Sequence, residues 1–218
     1  MGECIITKTQ ALRTSLAQYH AFVHYHPMRL RAGTSGFSYK EWKGPFYPEK
    51  LPTKEMLCYY AERLSTVEIN NTFYRMPKKD MLDGWARNVP EGFVFVLKAS
   101  RKITHHARLK ESATDSVEYL WDMASALGTH LGPILFQLPP NMKKNVDRLL
   151  VFMAALPKGL RASFEFRNES WFDEEVYDAL RTWKAAIEAQ PWKEAFVFFK
   201  HEDEGAAPLL AKRLLALD

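Results

Sequence analysis

The chain has 218 residues, 47% of them hydrophobic and 26% charged, a globular composition with enough apolar side chain for one domain's core. Its 30 basic and 26 acidic residues leave a net charge of +4, too small an excess to imply nucleic acid by itself. Cys4 and Cys58 form no CxxC and no even framework, which argues for a reducing, cytoplasmic setting and against a cysteine-held metal, and no apolar run approaches the roughly 18 residues of a membrane span.

Residues 1–27 are basic, hydroxyl-rich and acid-poor, without the apolar stretch of a secretory signal. They faintly resemble a transit peptide. The simpler readings are a helical extension, or a start placed too early with Met28 as the true beginning. His20, His24 and His26 lie close together but lack a carboxylate or cysteine partner, so no metal is expected there. From Met28 to Asp218 short apolar runs alternate with helical patterns. Strands are expected at LRAGT (30–34), TVEIN (66–70), FVFVLK (93–98), PILFQL (133–138), ASFEFR (162–167) and AFVFFK (195–200). Helices are expected over about 53–64, 78–87, 114–127, 144–156, 173–189 and 205–216, with Thr53 and either Ser112 or Thr114 as caps. Alternating strands and helices without repeats or linkers predict one α/β domain with a parallel sheet, residues 28–218.

The strand ends carry the chemistry. In TVEIN, Val67 and Ile69 share one face while Glu68 and Asn70 share the other. In ASFEFR, Phe164 and Phe166 oppose Ser163, Glu165 and Arg167. Gln137, Lys98 and Lys200 close their strands with polar groups where a parallel sheet normally stays apolar. Ligand sites in βα folds lie at the carboxyl ends of strands. The structural alternative is a set of ion pairs, Glu165 with Arg167 or Glu68 with Lys98, buried inside the sheet. After Lys98 comes a basic run containing Arg101, Lys102, His105, His106, Arg108 and Lys110. It reads as a loop waiting for a phosphate, a carboxylate or a nucleic-acid backbone, against the blander reading of a solvated loop.

The blocks GTSGFSYKEWKGPFYP (33–48), TVEINNTFYRMP (66–77), FVFVLKASRKITHHARL (93–109), LGPILFQLPP (131–140) and FEFRNESWF (164–172) resemble, in order, the YecE-like family, catalogued as domain of unknown function 72. The resemblance implies a TIM-type (β/α) barrel and brings no reaction with it. Phe37 stands where the family has Trp, and Asn71 where it has Ser. A larger departure follows residue 181, where YDALR (177–181) runs directly into TWKAAIEA (182–189). The barrel is therefore expected to be incomplete, with six of eight strands, lacking a strand that would bring an Arg and a His to the mouth. AFVFFK is expected to pair with LRAGT, leaving ASFEFR as an exposed edge.

The candidate catalytic residues are Glu68, Lys98, His105 and Glu165. The two glutamates form the carboxylate pair for acid/base work or an oxygen-held divalent cation, and His105 titrates near neutrality. The candidate ligand-binding residues are Ser35, Tyr39, Asn70, Tyr74, Arg108, Gln137, Arg167 and Trp171. No Walker loop, GxSxG, HExxH or GxGxxG is present, so the sequence names no cofactor and no metal. The expected function is binding of a small polar anionic ligand, a phosphorylated sugar or nucleotide, with acid/base or hydrolytic chemistry. The alternatives are a non-catalytic nucleic-acid or anion-binding module and an inactive truncated barrel.

Overall fold

A computed structural model describes residues 29–171 and 194–199. The strands are β1 (Arg29–Ser35), β2 (Thr66–Ile69), β3 (Val94–Lys98), β4 (Leu131–Gln137), β5 (Ala162–Glu165) and β6 (Glu194–Phe199). All pairings are parallel, and the order is β5-β4-β3-β2-β1-β6. The helices are α1 (Met56–Ala61), α2 (Asn71–Tyr74), α3 (Lys79–Arg87), α4 (Thr114–Ala124) and α5 (Val146–Ala154). The chain is thus α/β with consecutive parallel strands, as expected, and the last described strand lies beside the first. Residues 1–27, the junction after residue 181, Lys200 and the helices expected at 173–189 and 205–216 lie outside the described residues.

Strand alternation decides what each face of the sheet does. One face carries Val67, Ile69, Phe95, Leu97, Ile134, Phe136, Ala162 and Phe164, all buried. These pack on Leu57, Tyr60, Leu82 and Leu127 at one end of the sheet and on Leu149, Phe152, Met153 and Trp171 at the other. Each such large side chain contributes on the order of 1.5–3 kcal/mol through burial, so this face anchors the helices. The opposite face holds a separate small apolar cluster of Val94, Val96 and Leu135.

Close packing needs a glycine in the GTSG block. A Cβ on Gly33 would lie 2.1 Å from the carbonyl oxygen of Thr66, the residue paired with it across β1 and β2. Only a residue without a side chain allows the two strands to pair at that level.

The helix boundaries follow other signals than those read from the sequence. Thr53 opens a 3-10 turn, Thr53–Glu55, without a side-chain cap, and neither Ser112 nor Thr114 caps α4. Instead Asn145 caps α5, its side-chain oxygen accepting from the Arg148 N–H at 2.8 Å. The helix expected over 114–127 ends at Ala124 and continues as a 3-10 turn, Ser125–His130, broken at Gly128 with φ 54.

Candidate functional site

On the face opposite the helices, the strands turn polar toward their carboxyl ends. Residues level with one another across a parallel pair point the same way. Ser35 is level with Glu68, Glu68 with Val96, Lys98 with Leu135, and Gln137 with Glu165. Ser35, Glu68, Lys98, Gln137 and Glu165 therefore stand on the side of the Val94–Val96–Leu135 cluster, at the ends of five adjacent strands.

Ser35 is the hub of the β1–β2 corner. Its hydroxyl donates to Glu68 Oε1 at 2.8 Å, and its oxygen accepts from Asn70 Nδ2. The Tyr39 hydroxyl donates to the Ser35 carbonyl at 2.8 Å. Gly36, at φ 90, turns the chain out of β1, and its N–H donates to the Glu68 carbonyl at 2.8 Å. Glu68 is buried, with the Ser35 hydroxyl on its carboxylate. A carboxylate removed from water needs such partners, because an unpaired one costs several kcal/mol.

Farther along this row of strand ends, Gln137 Nε2 lies 2.9 and 2.8 Å from the two oxygens of Glu165. The amide takes the place expected for Arg167. Strand β5 ends at Glu165, so alternation no longer governs Arg167, which is exposed. Among the described residues no ion pair joins Arg167 to Glu165, which corrects the expectation of a buried compensating pair. Trp171 is likewise not a surface for a ligand to stack on. It is 1% exposed, stacks on Phe166 and donates its Nε1–H to the Met142 carbonyl at 2.7 Å. Tyr74 turns outward, 69% exposed, and lines a cleft of about 440 Å³ with Arg75, Lys78 and Met81.

The basic run forms an irregular loop in which Arg101, Lys102, His106 and Lys110 are exposed. Lys102–His106 is a single π-helical turn with Ile103 and Thr104 buried, a distortion common at functional sites. Arg108 and Leu109 follow with φ of 52 and 60. Two successive non-glycine residues in the left-handed region cost roughly 1–2 kcal/mol each. The buried Leu109 and a hydrogen bond from Arg108 Nη2 to Asn141 Oδ1 at 3.3 Å hold them there. The loop is thus pinned across to the turn after β4.

Phe73, absent from the sequence-derived site list, organises the cations. The Lys98 Nζ lies 5.3 Å from its ring centroid, and the His105 ring meets it edge-on at 4.9 Å and 84°. Thr72, also missed, ties this corner to β3. Its hydroxyl is shared between the Ile69 carbonyl at 2.9 Å and the Lys98 carbonyl at 2.6 Å. The signal was the NTFY sequence itself: a threonine one residue into a short helix bonds back to strand carbonyls. Thr104 Oγ1 lies 2.9 Å from His105 Nδ1. Burial first, then the charges of Lys98, Arg167, His106 and Arg108, hold the His105 pKa below the usual histidine value. The burial and each of these four neighbours disfavour a proton on this imidazole.

Among the described residues no cluster of three or more His, Cys, Asp or Glu suits a metal ion. No helix among them is long and apolar enough to cross a membrane.

A family model described as "Protein of unknown function DUF72" matches residues 31–186. UPF0759 protein YunF of Bacillus subtilis is 27% identical over 174 residues, 76% of this chain and 60% of the relative. UPF0759 protein YecE of Escherichia coli K12 is 29% identical over 114 residues, 52% of this chain and 42% of the relative. The chain thus spans about half the length of these curated relatives. A crystal structure of a DUF72 family protein from Thermotoga maritima superposes with TM-score 0.70 at 23% identity, covering 87% of this chain and 100% of the other. A second, from Enterococcus faecalis, gives 0.65 at 18%, covering 89% and 100%. At such identities the structures speak for the fold alone.

Proposed function

Starting from a chain that belongs to the DUF72 family, we propose that the carboxyl ends of its strands bind a small anionic ligand bearing a phosphate or a similar oxyanion. The observation that carries this reading is the change of chemistry along one sheet face. The apolar Val94–Val96–Leu135 cluster gives way to Ser35, Glu68, Lys98, Gln137 and Glu165, while the strained loop after β3 sets His105 against the Phe73 ring beside Lys98 and bonds Arg108 to Asn141. Strained backbone persists where surrounding contacts enforce it and commonly marks ligand sites. Lys98, Arg108 and Arg167 supply positive charge. Ser35, Asn70, Glu68 and Glu165 offer hydrogen-bonding groups suited to the hydroxyls of a phosphorylated sugar. Glu68 and Glu165 are the groups through which acid/base chemistry would run.

The strand order supports a barrel-type arrangement in which β6 takes the closing position beside β1, with ligands at the mouth as in other βα barrels. Thermal unfolding with added phosphate tests the site, since a ligand of the native state stabilises it by mass action. A rise in Tm for the unaltered protein, lost in Lys98→Ala and in Arg108→Ala, is the expected outcome. An equal rise in both variants, or none in the unaltered protein, contradicts it. Binding of polynucleotide with a steep salt dependence would favour the nucleic-acid module instead.

A further inference from the structure

We infer that the mouth takes up a dianion together with a proton carried by His105, so that the preferred ligand class is a dianionic oxyanion, such as a phosphate monoester, rather than a monoanion. This rests on the anion site proposed above and adds both a ligand charge and a proton.

The geometry supplies the reason. The imidazole is half-buried in the Lys102–His106 turn, its edge against the Phe73 ring that also lies under the Lys98 ammonium. The charged groups acting on it come from three places: Lys98 at the end of β3, Arg167 beyond β5, and His106 and Arg108 in its own loop. The Thr104 hydroxyl occupies Nδ1, so Nε2 is the nitrogen left to meet a ligand. With the site empty, a further positive charge on His105 is opposed by these neighbours and by burial. His105 is then neutral at neutral pH. An oxyanion placed among these cations reverses the balance, because a negative charge within ~4–6 Å favours the protonated imidazole. Two negative charges do so about twice as strongly as one at the same place.

The sign of the linkage follows. The bound site holds its proton to a higher pH than the empty one, so binding takes up a proton between the two pKa values. Affinity rises as pH falls through that window and levels off below the pKa of the empty site. The limit for one proton is about tenfold per pH unit.

Sulfate and nitrate serve as probes, because neither changes charge from about pH 5 to about pH 8.5 in the histidine range. Calorimetric titration in two buffers of different ionisation enthalpy gives affinity and protons taken up. Expected for the unaltered protein is sulfate affinity that increases as pH falls, with up to one proton taken up, and nitrate affinity about tenfold weaker or less at the acid end. His105→Gln is expected to bind sulfate with an affinity that does not change with pH. Sulfate affinity independent of pH in the unaltered protein overturns the inference and leaves the anion site standing. So does an unchanged pH dependence in His105→Gln, or nitrate binding as tightly as sulfate. Absence of sulfate binding at any pH overturns the anion site and the inference together.

Discussion

At the scale of single residues, the two carboxylates differ in what holds them, and that difference is measurable. Glu165 is served by the Gln137 amide on both oxygens, while Arg167 is exposed. Arg167→Met is therefore expected to change unfolding free energy by no more than about 0.5 kcal/mol. Gln137→Leu, which removes the donor from a half-buried carboxylate, is expected to cost about 1–3 kcal/mol. Urea denaturation distinguishes the two, and the reverse ranking would restore the buried ion pair. The alternating faces of TVEIN and ASFEFR were legible because side chains in a strand have period two. Arg167 was misplaced because alternation was carried past Glu165, where the strand ends. His105 gives a second test. Its folded-state pKa lies below the ordinary value in the unfolded chain. Its contribution to stability is thus complete above the unfolded pKa of about 6.5 and is lost as pH falls toward the folded one. Lys98→Ala removes the largest of the opposing charges, and histidine NMR titration of that variant should show the His105 pKa moving up. No movement, or a fall, would mean that Lys98 does not face the imidazole.

At the scale of elements, the short connections position the site, and these were the least legible parts of the chain. Each of the six expected strands coincides with a described one, because short apolar runs bounded by polar residues read as strands. The four-residue α2, the π-helical turn at Lys102–His106 and the left-handed pair Arg108–Leu109 have no periodicity to reveal them. Their conformations depend on partners distant in sequence, such as the Lys98 carbonyl for Thr72 and Asn141 for Arg108. Thr72→Val keeps the shape and removes the hydroxyl, leaving buried carbonyls without that donor. It is expected to cost about 1–2 kcal/mol and to weaken any anion binding, with Thr72→Ser restoring both. A silent Thr72→Val would mean that α2 is held by packing alone. Gly33→Ala sets a methyl group against the Thr66 carbonyl. It is expected to cost roughly 3 kcal/mol, because backbone has to move. A calorimetric Tm unchanged from the unaltered protein would show that β1 and β2 approach less closely than described.

At the scale of the whole molecule, the last described strand lies beside the first, as the sequence suggested. AFVFFK pairs with LRAGT, over the register Arg29↔Glu194 to Thr34↔Phe199, and not with ASFEFR. Among the described residues β5 pairs only with β4. The family was legible because five long motif blocks occur in order, each sitting at a strand end or the turn after it. The reaction was not, because motifs at strand ends establish where a ligand meets the protein before they establish what is done to it. The central claim, an anion held where β3, its π-helical turn and the end of β5 converge, is tested most directly by following backbone amide NMR signals during titration with inorganic phosphate. The account predicts saturable shifts concentrated at Lys98, at residues 102–109 and at Arg167, and absent from Lys98→Ala. Shifts scattered over exposed lysines elsewhere, or a mouth unmoved at saturating phosphate, would contradict it.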